Sequence, residues 1–109
     1  MDVQGFHHLA IQVRDVERVT HFYRDLLGFT ELKRHTRPDG SLRSIWVQVP
    51  GGGFLALEAV SGEPAPDAFR HERPGLLLLA LRITPQARAG VVSTLTRAGV
   101  PLKHETRWT

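Results

Sequence analysis

Alternating apolar and polar residues near the amino terminus predict a β-strand over residues 6–13, with leucine, isoleucine and valine on one face. The pattern then takes a helical period, which begins after the N-cap residue Asp15 and ends at Gly28. Three more alternating segments follow, each bounded by proline or glycine, and they are residues 29–37, 41–49 and 54–60. The first sixty residues therefore predict a β-α-β-β-β unit with one apolar face.

The remaining residues predict a shorter version of the same pattern. Residues 61–74 are rich in proline, glycine, glutamate and arginine, which is typical of a linker or surface loop. Residues 76–83 are almost entirely apolar and predict a strand that is buried on both faces. A second amphipathic helix follows and ends at Gly99, and residues 100–107 predict a last strand.

The two halves of the chain share a sequence repeat. Residues 32–37, Leu-Lys-Arg-His-Thr-Arg, return as residues 102–107, Leu-Lys-His-Glu-Thr-Arg, with four identities in six and an offset of 70. We therefore expect an α+β fold of tandem βαβββ modules in a curved mixed sheet, the second module truncated after its βαβ part. Module one covers residues 1–60, the linker residues 61–74, and the incomplete module two residues 75–109.

Composition narrows the classes of function. The chain has 109 residues, no cysteine and a formal charge of +3, with 14 basic and 11 acidic residues. The lack of cysteine excludes disulfides and thiolate metal sites. Because the arginines are scattered and not interleaved with aromatic residues, we expect no nucleic-acid partner. With no apolar run of the roughly 18 residues that span a bilayer and no signal peptide, we expect a cytoplasmic protein without a membrane partner.

Polar and aromatic residues on the non-core face of module one form the candidate site. His8 lies on the first predicted strand and Glu58 on the fourth. A neutral imidazole and a carboxylate are ligands for Zn²⁺, Ni²⁺, Fe²⁺ or Mn²⁺, so these two residues are candidate metal ligands. Alternatively, Glu58 forms a structural ion pair with Arg82 of the fifth predicted strand. The other residues of the predicted ligand pocket are Gln12, Trp46, Gln48, Phe54 and Arg82.

The same residues resemble a known superfamily. The opening His-x-x-Ile-x-Val-x-Asp of residues 8–15, the run Phe-Tyr-Arg-Asp-Leu-Leu-Gly-Phe of residues 22–29 and the strand with Glu58 resemble the vicinal-oxygen-chelate superfamily of glyoxalase I, extradiol dioxygenases and bleomycin resistance proteins. The resemblance implies one glyoxalase-like domain over the whole chain, with His8 and Glu58 as metal ligands. In module two, Leu78 takes the position of His8, and leucine cannot bind a metal. One chain therefore offers an incomplete set, at most two of the four ligands expected for one divalent ion.

The resemblance leaves three alternatives for function. The first is a small-molecule-binding protein that holds its ligand in the cup of the curved sheet. The second is a metal-dependent lyase, isomerase or dioxygenase, in which a divalent ion chelates vicinal oxygens of a small substrate and Glu58 is the catalytic base. The third is a truncated copy without activity. Since the truncation leaves open sheet edges, we also expect a homodimer, formed by edge-to-edge pairing or by a domain swap, in which the second copy would complete the cup.

Overall fold

The computed structural model describes residues 1–67 and 70–103, and it divides the chain into two units between Ala65 and Pro66. The first unit contains a four-stranded mixed sheet with a helical segment packed on one face. The bounds of its strands agree with the predicted bounds to within two residues, which confirms the predicted β-α-β-β-β order. The strands are β1 (His8–Val13), β2 (Thr30–Thr36), β3 (Leu42–Gln48) and β4 (Phe54–Ala59).

Helix α1 (Val16–His21) begins at the predicted N-cap, since the Asp15 carboxylate accepts a hydrogen bond from the main-chain N–H of Arg18 at 3.1 Å. The helix then widens into a π-helical segment, Phe22–Leu26. Gly28 follows with φ of +81°, a left-handed conformation that glycine adopts at little steric cost. The single helix predicted between Asp15 and Gly28 is therefore a short α-helix extended by a π-helical turn.

The strands lie in the order β1-β4-β3-β2, so β1 and β2 form the two edges of the sheet. β1 pairs with β4 in parallel, with His8 opposite Phe54 and Gln12 opposite Glu58. The other two strand pairs are antiparallel. Because directly paired residues share one face of a sheet, these registers determine which side chains lie together.

One face of the sheet packs against the helical segment and forms the core of the first unit. Ile45, Val47 and Leu57 have 0% exposed surface, and each alternates along its strand with residues of the opposite face. Val16 of α1 and Phe29, which precedes β2, belong to the same buried cluster. Since burial of one large aliphatic side chain contributes roughly 1.5–3 kcal/mol, this cluster is the main source of stability for the first unit.

The second unit differs from the prediction in its strands. Residues 76–83, predicted as a buried strand, form no strand, and Leu76 and Leu78 are 65% and 53% exposed. A strand needs neighbours that pair with its main-chain N–H and C=O groups, and the described residues of this unit contain no second strand. The strand predicted over residues 100–107 is absent from residues 100–103, and its remainder lies outside the described residues.

The second predicted helix is present. A 3₁₀ turn (Pro85–Ala87) begins with proline, which suits the first helical position, and leads into α2 (Arg88–Arg97). Gly99 follows with φ of +82°, as expected at the end of a helix. Among the described residues, no helix combines the length and the apolar character needed to cross a bilayer.

Candidate functional site

The sheet face opposite the core carries most of the predicted site residues, and we call it the site face. Its side chains lie in three rows across the sheet, each row being formed by directly paired residues of the four strands. In order along the strands, the rows are Gln12-Glu58-Ser44-His35, Ala10-Ala56-Trp46-Lys33 and His8-Phe54-Gln48-Thr30.

An aromatic stack crosses the site face. The His8 imidazole is almost parallel to the Phe54 ring, with centroids 4.8 Å apart and 9° between the planes. Phe54 stacks in turn on Trp46 at 4.7 Å and 27°, and the His35 ring lies 4.7 Å from Trp46. Ring contacts at these distances are attractive. The site face therefore presents a continuous surface of four rings, of which only that of His8 belongs to an exposed residue.

Glu58 is a half-buried carboxylate in the first row of the site face. Its paired neighbours are Gln12 and Ser44, and the buried Ser44 Oγ lies 2.9 Å from His35 Nδ1, a hydrogen-bond distance. Within the first unit, all of which is described, the Glu58 carboxylate has no hydrogen-bond or ion-pair partner. A carboxylate that has lost part of its hydration gains most from a cation or a hydrogen-bond donor.

A second histidine lies beside His8. The Nδ1 atoms of His7 and His8 are 2.9 Å apart, and the His7 ring meets Phe54 edge to face at 5.6 Å. The main chain here is held close to β4, because the Phe54 N–H donates to the His7 carbonyl at 3.2 Å. At Gly53, where φ is +77°, a Cβ would lie 3.1 Å from the Phe6 carbonyl oxygen. Glycine is therefore required at this close approach.

Comparison with known proteins places this geometry in a family. A family model described as the Glyoxalase/Bleomycin resistance protein/Dioxygenase superfamily matches residues 5–106, nearly the whole chain. The chain belongs to this superfamily. The resemblance to vicinal-oxygen-chelate proteins is thereby confirmed, together with the glyoxalase-type α+β fold.

Solved structures of the superfamily share the fold. A glyoxylase/bleomycin resistance protein/dioxygenase domain from Frankia sp. EAN1pec is 27% identical, with a TM-score of 0.69 over 90% of this chain and 71% of that chain. A glyoxalase/dioxygenase from Nostoc punctiforme is 24% identical, with a TM-score of 0.70 over 94% and 75%. The fosfomycin resistance protein FosX from Listeria monocytogenes is 15% identical, with a TM-score of 0.74 over 99% and 78%. No curated protein matches the sequence.

The described residues of the site face do not complete the metal centre that superfamily membership implies. The main-chain positions of His8 and Glu58 are offset by four residues on neighbouring strands, which is about 13 Å at a rise of roughly 3.3 Å per residue. In residues 1–67 and 70–103, no group of three or more histidine, cysteine, aspartate or glutamate side chains could hold an ion. The ligand set visible in this chain is therefore incomplete.

The structure brings six of the seven predicted site residues onto the site face, and they are His8, Gln12, Trp46, Gln48, Phe54 and Glu58. Arg82, the seventh, belongs to the second unit and lies in neither a helix nor a strand. Its place in the pocket and its ion pair with Glu58 stay predictions. The roles of His8 and Glu58 as ligands, and of Glu58 as a base, likewise stay predictions.

His35 is a member of the site face that the sequence did not reveal. Strict alternation from Thr30, on the site face, would place His35 on the core face. However, the register shifts between Glu31 and Lys33, where a β-bulge adds one residue to β2 and reverses the phase. No glycine or proline marks this bulge in the sequence, so the phase of β2 could be read only from its pairing with β3.

Proposed function

We propose that this protein binds a flat small molecule on the site face. The observation that supports the proposal is the aromatic stack of His8, Phe54 and Trp46, with the His35 ring tilted against it at 55°, beside a carboxylate that has no partner in the first unit. A planar ligand that extends this stack would gain about 0.5–1.5 kcal/mol for each ring contact, in addition to the apolar area that it buries. Folding of the sheet does not require aromatic rings on the face opposite the core, whereas stacking on a ligand does.

The Glu58 carboxylate determines which ligand charge the site face favours. The carboxylate lies one row from Trp46, about 7 Å along the sheet at a rise of roughly 3.3 Å per residue. A planar cation that lies against the aromatic rings of the site face can donate its N–H groups to the carboxylate. We therefore expect a preference for planar cations over neutral ligands of the same shape. The amides of Gln12 and Gln48, in the two outer rows, would supply further hydrogen bonds.

Tryptophan fluorescence tests this proposal. The chain has two tryptophans, so a Trp108→Phe background leaves Trp46 as the only indole. We expect a planar cationic dye to quench Trp46 saturably, and Glu58→Gln to weaken that dye roughly tenfold, or about 1.4 kcal/mol, without affecting a neutral dye of the same shape. Glu63→Gln, which changes an exposed carboxylate outside the strands, should affect neither dye. Equal effects of the two variants, or no saturable quenching by either dye, would contradict the proposal.

A second candidate function is a metal-dependent lyase, isomerase or dioxygenase, and the lack of a partner for Glu58 within the first unit supports it too. The E126Q mutant of FosX has been solved in complex with Mn(II) and 1S,2S-dihydroxypropylphosphonic acid, and that protein is 17% identical to this chain. Because the described residues of one chain supply no complete ligand set, this candidate requires further ligands, from a second copy or from residues outside the described part of the chain.

Metal analysis of the purified protein tests the second candidate. We expect about one divalent ion per site in the wild type, lost in both His8→Ala and Glu58→Ala, if the two residues bind the same ion. Glu63→Ala is the control and should retain the ion. A wild type that holds no ion at neutral pH, or variants that keep it, would contradict the candidate.

We further propose that the chain forms a homodimer, by edge pairing or by exchange of a segment. Within the first unit, β1 and β2 each pair on one side only, and an edge strand offers its free main-chain groups to another chain. Residues 76–79 are four consecutive exposed leucines, and exposed apolar surface promotes association. Light scattering should give twice the chain mass, reduced by Leu77→Asp but not by Val3→Asp. A monomeric wild type at micromolar concentration would contradict the proposal.

A further inference from the structure

The edge strand β2 changes its register twice against β3. The ends of the two strands are directly paired and each strand has seven residues, so they could pair without interruption. Instead, β2 inserts Leu32 and β3 inserts Arg43. The three residues of β2 between these insertions, Lys33–His35, are therefore displaced by one position against β3, and we call them the shifted segment.

The shift decides which side chains of this segment lie on the site face, because a slip of one residue exchanges the two faces of a strand. In the observed register, His35 is opposite Ser44 on the site face. Arg34 is opposite Ile45 and so lies on the core face. Uninterrupted pairing would instead place Arg34 opposite Ser44, in the same row as Glu58. The two residues would then be about 10 Å apart, two strand spacings, which an arginine and a glutamate side chain can span together.

The observed register has two costs that uninterrupted pairing would avoid. Each insertion disrupts the ladder of main-chain hydrogen bonds between the strands. The inserted Leu32 is also 47% exposed. With uninterrupted pairing, Leu32 would lie opposite Trp46 on the site face and gain an apolar contact there. An interaction that exists only in the observed register must therefore offset these costs.

Two carboxylates hold Arg34 on the core face. Its Nε and Nη2 donate to the two carboxylate oxygens of Glu31, both at 2.9 Å, and its Nη1 and Nη2 donate to Glu17 of α1. Residues i and i+3 of a regular strand lie on opposite faces, so Glu31 reaches Arg34 only because of the insertion between them. This paired geometry also favours arginine over Lys33, whose ammonium is a point charge. We propose that these two carboxylates are positioning groups, which keep the shifted segment in its observed register and Arg34 away from Glu58.

The register also determines which ligands the site face prefers, a consequence that rests on the proposed function. In the observed register, the site face offers the Glu58 carboxylate and the His35 ring against Trp46. With uninterrupted pairing, it would offer an arginine–carboxylate pair and Leu32 instead. A planar cation would then compete with Arg34 for Glu58, whereas a neutral ligand of the same shape would not. The two positioning carboxylates therefore set the preference for cations without touching the ligand.

Nuclear Overhauser effects (NOEs) between side chains of the site face test the register directly. In the wild type we expect NOEs between the rings of His35 and Trp46, whose centroids are 4.7 Å apart. In the double variant Glu17→Gln/Glu31→Gln, we expect these NOEs to be replaced by NOEs between the Leu32 methyl groups and the Trp46 ring. The same double variant should bind a planar cationic dye roughly tenfold more weakly in the fluorescence titration, and a neutral dye of the same shape equally well.

Two further variants check the cause. Arg34→Ala loses the same ion pairs and should show the same change in NOEs. It should nevertheless keep most of its affinity for the cationic dye, because no arginine then reaches Glu58. Arg24→Gln is the control, since Arg24 Nη1 donates to Glu31 Oε1 at 2.8 Å, and this variant removes an ion pair of Glu31 other than that with Arg34. It should keep both the wild-type NOEs and the wild-type affinity.

Wild-type NOEs that persist in the double variant and in Arg34→Ala would overturn the proposal, because the contact between His35 and Ser44 would then suffice to hold the register. An equal change in Arg24→Gln would overturn it too. A changed register with unchanged affinity for the cationic dye would contradict the role in specificity. NOEs between β3 and β4 check that the sheet is intact, and Arg34→Ala alone decides if the double variant does not fold. If the wild type binds no dye, the proposed function fails, whereas the NOEs still decide the register.

Discussion

Thr20 of α1 is a buried polar residue of the first unit. Its side chain has 0% exposed surface, and its Oγ1 has no hydrogen-bond partner within residues 1–67 and 70–103. A buried hydroxyl of this kind has lost its hydration without gaining a hydrogen bond, which costs about 1–3 kcal/mol. We therefore expect Thr20→Val to raise the free energy of unfolding.

The expected gain is about 1 kcal/mol, at the low end of that range, because a methyl group replaces a slightly smaller hydroxyl in a packed core. Helix propensity does not change the estimate, since valine and threonine have similar values. For a domain of this size, 1 kcal/mol corresponds to a rise of about 4 °C or more in Tm. Urea denaturation and thermal unfolding, both followed by circular dichroism, measure the effect.

Two further variants separate the hydroxyl from the packing. Thr20→Ser keeps the hydroxyl and removes a buried methyl group, so it should lower stability by about 1 kcal/mol. Thr96→Val is a control on α2, where the exposed Thr96 Oγ1 donates to the Val92 carbonyl at 2.7 Å, and it should give no gain. A Thr20→Val protein that is less stable than the wild type by 1 kcal/mol or more would refute the reasoning, because the hydroxyl would then have a partner in the folded chain.

Three more predictions concern stability, each measured by urea denaturation. Gly53→Ala should lower the free energy of unfolding by about 1–3 kcal/mol, since φ is +77° and Cβ would contact a carbonyl oxygen. Gly90→Ala in α2 is the control and should be neutral or stabilising, so equal effects of the two variants would contradict the prediction. Arg37→Met should cost about 2 kcal/mol, because Arg37 donates to two strand carbonyls at 2.6 and 2.7 Å, and an unchanged midpoint would count against it. Hydrogen bonds from Arg34 hold the pKa of Glu31 below its usual range, so the contribution of Glu31 to stability is complete above about pH 4.3 and is lost as pH falls. Glu31→Gln should therefore flatten the acid side of the plot of unfolding free energy against pH, and an identical plot would refute this.

The sequence predicted the elements of the first unit because their signals are local. Strict alternation marks β1, β3 and β4, and proline or glycine marks the turns between the strands. The strand predicted over residues 76–83 is absent, because strand formation there depends on pairing, which is not a local signal. An apolar run indicates that a segment can be buried, but a strand forms only where another strand pairs with its main chain. That pairing is a property of the fold and cannot be read from the composition of the segment.

The composition of the site face was predictable to the extent that it depends on alternation within one strand. His8, Gln12, Trp46, Gln48, Phe54 and Glu58 were all assigned to the non-core face by their parity, and their registers place them there. His35 was missed because a bulge reverses the phase of β2. The offset between His8 and Glu58 was also missed, since parity gives the face of a residue and only the register gives its position along the neighbouring strand.

This offset gives a direct way to decide whether His8 and Glu58 act together. Residues more than about 7–10 Å apart that share no partner have additive effects, whereas two ligands of one ion are strongly coupled. We expect the effects of His8→Ala and Glu58→Gln on the affinity for a planar cationic dye to add within about 0.5 kcal/mol in the double variant. His8 would then contribute only through its stack on Phe54, and Glu58 only through its charge. A coupling above about 1 kcal/mol that disappears with a chelator would show that an ion links the two side chains, and the superfamily centre would then replace the ligand-binding proposal.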